Sequence, residues 1–188
     1  MKIQVILGST RPNRIGEGVA KWVLETAQTR DDAEFELVDV AEYNLPLLDE
    51  PMPPMMNQYT KDHTKKWSEK INQADGYIFV TAEYNRSVPG AFKNAVDFLN
   101  VEWKDKSLGF VSYGSAGGAR AVEHWRGTAA ELHMADVREV LHLYLASDFE
   151  KYSVFHPNEN HKAQLNLVID EVVAWAGALK PLRANKSI

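Results

Sequence analysis

Short apolar runs alternate along the chain with longer stretches in which apolar residues recur every three or four positions. The runs predict buried strands, and the longer stretches predict amphipathic helices. The predicted strands cover residues 2–7, 35–40, 78–80, 108–112 and 137–141. The predicted helices cover residues 19–27, 59–73, 92–99, 122–132 and 165–179. Residues 41–57 and 142–160 show neither pattern, so we expect connections there.

Five strands that alternate with five helices indicate a doubly wound α/β fold with a five-stranded parallel sheet and helices on both faces. No linker, repeat or low-complexity segment divides the chain, so we expect residues 1–188 to form a single domain. In a sheet of order 2-1-3-4-5, strands 1, 3 and 4 are neighbours and the chain reverses direction between strands 1 and 3. Residues 35–40 alternate between apolar and polar, as an edge strand does.

The loop after the first strand, residues 9–16, combines hydroxyls and arginines before a helix. Ser9, Thr10, Arg11 and Arg14 there could bind a phosphate together with the helix N-terminus. Alternatively, the two hydroxyls cap the helix and the arginines are solvated. The loop lacks the glycines of a dinucleotide fingerprint and the lysine of a P-loop. Asp39, which ends the second strand, is therefore expected to cap a loop rather than to bind a ribose.

The loop after the third strand places Glu83, Tyr84, Asn85 and Arg86 in a row. A tyrosine ring with polar neighbours is suited to a flat heteroaromatic ligand, although a plain turn with a surface tyrosine would look the same. Ser87 is expected to cap the next helix, with Pro89 in its first turn.

The loop after the fourth strand, residues 112–118, contains three glycines, which would let the backbone approach a ligand closely or simply form a tight turn. If the sheet order is correct, this loop, 9–16 and 83–88 meet at one crevice.

Composition narrows the possible functions. The net charge of −5 and the pI of about 5.7 argue against a general nucleic-acid-binding protein. The chain has no cysteine, which excludes disulfides, thiolate nucleophiles and cysteine-ligated clusters. The first strand begins at residue 2 and no apolar run approaches membrane-spanning length, so we expect no signal peptide, no membrane partner and a cytoplasmic location.

The histidines and tryptophans give no catalytic pattern. His156 and His161 lie five residues apart and none of the six histidines has zinc-protease spacing, so no metal site and no catalytic triad are predicted. Trp103 and Trp125 are expected to pack in the core. The apolar, proline- and methionine-rich connection 41–57 could cover the mouth of the site, form a subunit interface or pack on its own domain.

Three motifs resemble those of the NADPH-dependent FMN reductases of flavodoxin-like fold, a family that includes quinone, azo-dye and chromate reductases. They are GSTR at 8–11, TAEYNRSVPG at 81–90 followed by KNAVD at 93–97, and SYGSAGG at 112–118. The resemblance extends from residue 2 to about residue 132, and the middle motif is its most specific part. Two departures from the family pattern are Ala82 in place of a proline and Arg86 in place of a small residue.

The resemblance implies three groups of cofactor-binding residues. Those for the FMN phosphate are Ser9, Arg11, Arg14, Ile15 and Gly16; those for the isoalloxazine and ribityl chain are Glu83, Tyr84 and Asn85; and the loop with Ser112, Gly114, Gly117 and Gly118 would border the far edge of the flavin. Thr10, Arg86, Ser87 and Tyr113 come from the same loops and complete the predicted site.

The function implied by the resemblance is hydride transfer from NADPH or NADH through bound FMN to a small acceptor, in a ping-pong sequence. The acceptor would be a quinone, free flavin, azo compound or chromate, and the family implies a homodimer or homotetramer. Two other functions remain open: a non-catalytic electron carrier of the flavodoxin type, and a nucleotide- or phosphate-binding protein without flavin. The mild net charge and the basic residues at 11, 14, 86 and 120 favour the enzyme over an acidic-faced carrier.

Overall fold

The computed structural model describes residues 1–184. Its main sheet has five parallel strands in the order β2-β1-β3-β4-β5. The strands are β1 (Lys2–Leu7), β2 (Glu34–Asp39), β3 (Gly76–Ala82), β4 (Ser107–Gly114) and β5 (Ala135–Tyr144). This order is that of flavodoxin-like folds, and it confirms the predicted fold class and places β2 at one edge.

The helices are α1 (Gly16–Ala27), α2 (Asp62–Asn72), α3 (Gly90–Asp97), α4 (Ala119–Glu131) and α5 (Glu159–Ala184). They cover both faces of the sheet, because successive residues of each central strand point to opposite faces. Val5 and Leu7 of β1 pack into the core that α1 and α5 cover, whereas Ile6 packs into the core beneath α2, α3 and α4. None of these helices in the described part of the chain is long and apolar enough to cross a membrane.

The second core contains most of the large aromatic side chains. Trp67, Trp103 and Trp125 are fully buried there. The rings of Trp103 and Trp125 meet that of Phe79 edge-on, and Trp67 meets Trp103 in the same way. Trp103 and Trp125 are therefore packing residues, as predicted. Their indole N–H groups donate to the Val96 carbonyl at 3.1 Å and to the Thr81 hydroxyl at 3.1 Å, so their burial leaves no polar group unpaired.

Three local predictions are wrong. Ser87 does not cap α3, because the helix begins at Gly90 with Pro89 at its N-cap and no side-chain cap. The helix predicted at 59–73 is shorter, Asp62–Asn72. The segment 142–160 is not irregular throughout: β5 continues to Tyr144, and Phe149–Glu150 (β6) pairs with Val154–Phe155 (β7) in a short hairpin.

Candidate functional site

The loops after β1, β3 and β4 meet in a small cleft at the carboxyl ends of these strands. The cleft has a volume of about 60 Å³ and is lined by Ser9, Arg11, Arg14, Ile15, Ala82, Glu83, Tyr84, Tyr113, Gly114 and Leu145. Eight of these ten are predicted site residues, brought together by the strand order. Thr10 instead lines a neighbouring cavity between α3 and the segment after β2.

The first two loops are joined by a hydrogen bond between side chains. The Ser9 hydroxyl lies 2.9 Å from the Tyr84 hydroxyl, and Ser9 is buried. Neither Ser9 nor Thr10 caps α1, because its N-cap residue is Ile15. The interpretation of these hydroxyls as helix caps is therefore wrong, and Ser9 acts as a link between two loops.

The guanidinium of Arg14 is occupied by contacts within the protein. Its guanidinium forms a bidentate ion pair with Asp39 at the end of β2 and donates to the Ser9 carbonyl at 2.6 Å. Asp39 also accepts the Ala41 N–H at 3.0 Å and so caps the 3-10 turn Val40–Tyr43, as predicted. Arg14 thus holds the shape of loop 9–15 and ties it to β2. Thr10 and Arg11, which are exposed, are the loop side chains left to meet an anion at the N-terminus of α1.

The loop after β3 is a tight two-residue turn. Tyr84 and Ser87 exchange two backbone hydrogen bonds of 3.0 Å, and Asn85 and Arg86 between them have φ values of 49° and 68°. These are the dihedral signs of the turn that fits twisted antiparallel strands. The Ser87 hydroxyl lies 2.9 Å from Nδ1 of His124 on α4, which fixes the far side of the turn. The turn holds the Tyr84 ring, which is 37% exposed, at the mouth of the cleft.

Glu83 connects the same loop to α4. Its almost fully buried carboxylate accepts the Arg120 backbone N–H at 3.1 Å and the Arg120 Nε at 2.7 Å. A carboxylate beside the N-terminus of a helix satisfies a free N–H and interacts favourably with the helix dipole. Glu83 and Arg120 therefore fix the start of α4 against the end of β3.

Ser112, Gly117 and His142 determine the conformation of the glycine loop. The buried Ser112 hydroxyl lies 2.6 Å from the Gly117 carbonyl and 2.8 Å from His142 Nδ1. Because a carbonyl only accepts, the hydroxyl proton goes to Gly117 and His142 must donate from Nδ1. This histidine lay in the segment predicted to be irregular, and only the alternation of apolar residues around it in β5 could have indicated its position.

Gly16 and Tyr113 bring the first and third of these loops into contact. A Cβ on Gly16 would lie 2.3 Å from the Tyr113 hydroxyl oxygen, so only glycine lets the ring pack against the start of α1. Burial raises the pKa of Tyr113 to about 12. The hydroxyl therefore keeps its proton at neutral pH and remains a hydrogen-bond donor.

The sequence matches the model of the NADPH-dependent FMN reductase family over residues 1–147. The chain belongs to this family. Membership confirms the resemblance drawn from the three motifs, and the family is described as one of NADPH-dependent FMN reductases. The matched region contains β1 to β5 and all three loops of the cleft.

Individual relatives and structures agree with this. The NAD(P)H-dependent FMN reductase ntnL of Nectria sp is 47% identical over 126 residues, which are 64% of this chain and 63% of that relative, a little under two thirds of its length. The 2-hydroxy-1,4-benzoquinone reductase of Burkholderia sp is 28% identical and is covered over 96% of its length by 93% of this chain. The solved structure of FerB, a flavoenzyme NAD(P)H:(acceptor) oxidoreductase from Paracoccus denitrificans, has a TM-score of 0.72 at 21% identity, covering 94% of this chain and 97% of that one. At that identity the structural likeness shows the fold alone.

Proposed function

We propose that this family member uses FMN to transfer a hydride from NADPH or NADH to a small acceptor in a ping-pong sequence. The observation that carries the proposal is the geometry of the cleft. Loops from three adjacent strands are joined there by the Ser9–Tyr84 and Glu83–Arg120 hydrogen bonds. A site held by bonds between its own loops keeps its shape while two different substrates enter and leave in turn.

The donors at the cleft fit the chemistry of FMN. Arg11 and the first turn of α1 present a guanidinium and free backbone N–H groups, which suit a phosphate dianion, and Thr10 adds a hydroxyl from the neighbouring cavity. The half-exposed Tyr84 and the polar backbone of 83–85 suit a flat ring with hydrogen-bonding edges. Gly114 has room for an added Cβ, which would lie 3.4 Å from Glu83 Cβ, so its missing side chain widens the cleft beside Glu83.

The chemistry that FMN supplies when bound is hydride transfer, and this chain's residues position the groups around it. Tyr113 stays neutral, and its ring packs against Gly16 directly after loop 9–15. Ser112 and His142 hold the carbonyl of Gly117, which sets the direction of the following N–H groups at the start of α4. Donors at this position would suit negative charge on a cofactor held in the cleft.

For the acceptor we propose a quinone, with free flavin, an azo compound or chromate as the other members of the same class of small oxidants. The name of the Burkholderia relative supports a quinone. The exposed Tyr84 ring at the mouth also favours a planar aromatic molecule, because such a molecule can stack against it.

The test is a visible absorption spectrum of the purified protein, before and after addition of FMN, followed by NADPH without oxygen. We expect flavin bands that NADPH bleaches and a quinone restores, and parallel double-reciprocal lines when both substrates are varied. Bands that NADPH does not bleach would instead indicate an electron carrier. Protein that retains no FMN after desalting and does not oxidise NADPH with free FMN present would overturn the proposal in favour of a phosphate-binding protein.

We also propose that the protein forms a homodimer or homotetramer through the connection that follows β2. Leu47, Met55 and Met56 there are 84%, 68% and 51% exposed, which is a high exposure for neighbouring large apolar side chains. Light scattering that gives the 21.2 kDa mass of one chain at working concentration would contradict this. The single domain over 1–188 and the cytoplasmic location stay predictions from the sequence; residues 185–188 lie outside the described part of the chain.

A further inference from the structure

Arg86 has an unusual backbone conformation for its residue type. It occupies the second position of the turn between Tyr84 and Ser87, with φ at 68°. This left-handed region favours glycine and asparagine, and an arginine there costs conformational free energy that glycine would avoid. Residues in such conformations persist where the surrounding structure holds them, and they cluster at active sites and ligand-binding positions.

The turn that carries Arg86 is fixed on both sides. Two backbone hydrogen bonds of 3.0 Å close it, Tyr84 is tied to Ser9, and Ser87 is tied to His124 on α4. Arg86 therefore lies on a fixed turn, two residues after Tyr84, which lines the cleft.

The other arginines near the cleft have assigned partners. Arg14 is paired with Asp39, and Arg120 with Glu83. Arg11 lies on the loop that suits the FMN phosphate. Arg86 is exposed, and among residues 1–184 no carboxylate lies within ion-pair distance of it. It is thus an exposed cation on the turn beside the cleft, and it remains without an assigned partner once Arg11 is given to the FMN phosphate.

We propose that Arg86 binds a phosphate group of the nicotinamide dinucleotide. This rests on the proposed function, which requires such a substrate to enter the mouth of the cleft. A guanidinium presents a planar fork of N–H donors that matches the oxygens of a phosphate. Two phosphates of the substrate have this chemistry: the diphosphate that NADH and NADPH share, and the 2′-phosphate that only NADPH carries.

The experiment compares Arg86→Asn and Arg86→Gly, which both tolerate the backbone conformation, with Arg86→Lys, which keeps the charge. Arg138→Asn is the matched control, because Arg138 is 91% exposed on β5 and its loss changes the net charge equally. We expect the Asn and Gly variants to raise the KM for NADPH about 10- to 100-fold, as loss of a charge-assisted hydrogen-bonded pair does, with kcat and FMN affinity unchanged. The Lys variant should lie in between, and Arg138→Asn should match the wild type.

Three further measurements separate the outcomes. A KM that rises for NADPH alone assigns the 2′-phosphate, and one that rises equally for NADH assigns the diphosphate. Calorimetric titration of ADP and of adenosine 2′,5′-bisphosphate tests the same contact without turnover, and should show weaker binding in the Asn and Gly variants. Thermal unfolding should show no loss of stability in either variant.

Unchanged KM and nucleotide affinity in both variants would overturn the inference, as would a lower melting temperature in both, which would make Arg86 a structural residue. A wild-type protein that oxidises neither dinucleotide with FMN present would instead overturn the proposed function, and the titrations would still decide whether Arg86 binds phosphate.

Discussion

Replacing Gly118 with alanine should unfold the start of α4, and Gly127 in the same helix offers a control of opposite sign. Gly118 is the N-cap residue of α4 and has φ at 73°. An added Cβ would lie 2.8 Å from Ser112 Cβ and 2.9 Å from the Tyr113 backbone nitrogen. The second of these atoms belongs to a buried central strand and cannot move away. A Cβ on Gly127 would meet nothing within 4 Å.

The expected size follows from three contributions. An alanine in the left-handed region costs about 1–2 kcal/mol, and a methyl group forced into a packed loop costs about 1–3 kcal/mol. Alanine also lowers the conformational entropy of the unfolded chain, which stabilises the folded state by about 0.4–1 kcal/mol. We therefore expect Gly118→Ala to lower the free energy of unfolding by about 1–5 kcal/mol. Gly127→Ala lies in an exposed helix interior and should raise it by about 0.5–1 kcal/mol.

The assay is urea unfolding followed by tryptophan fluorescence and by circular dichroism, with FMN titrations of each variant. Because the start of α4 carries Arg120, which holds Glu83, Gly118→Ala should also weaken FMN binding, whereas Gly127→Ala should not. A Gly118→Ala protein within about 0.5 kcal/mol of the wild type would refute this account of the glycine loop, since surface changes alone produce effects of that size.

Two further predictions concern buried charges. Glu83→Ala should lower the free energy of unfolding by about 1–3 kcal/mol, because it leaves the Arg120 N–H at the start of α4 without its acceptor. Glu17→Ala, which breaks an exposed pair with Lys21, should lower it less, and equal losses would contradict the role given to Glu83. Burial lowers the pKa of Lys106, whose Nζ donates to the Tyr77 hydroxyl at 2.9 Å, to about 7. The unfolded lysine binds its proton more tightly than the folded one, so between about pH 7 and the ordinary value of 10.5 the stability of the wild type should rise with pH relative to Lys106→Met. The rise is at most about 1.4 kcal/mol per pH unit, and parallel pH profiles from chemical unfolding would disprove it.

Much of the fold could be predicted because buried segments are visible in the sequence as apolar runs or as apolar periodicity. Strand β3 is buried along its whole length, and residues 78–80 show this as a continuous apolar run. The boundaries were less predictable. Ser87 has the residue type of a helix cap, but the turn that it closes with Tyr84 and its bond to His124 decide its conformation, and the helix starts at Gly90 instead.

The sequence by itself determined the alternation of strands and helices, the presence of polar residues after three strands and the family of the chain, since these depend on local patterns and motif spacing. Only the tertiary structure decided what each polar residue does. Arg14, Arg86 and Arg120 are the same residue type in the sequence. In the structure Arg14 pairs with Asp39 and Arg120 with Glu83, whereas Arg86 stays exposed. The physical reason is that a hydrogen bond or ion pair requires two groups to meet within about 3–4 Å, and residues 25 or 37 positions apart meet only when the sheet order brings them together.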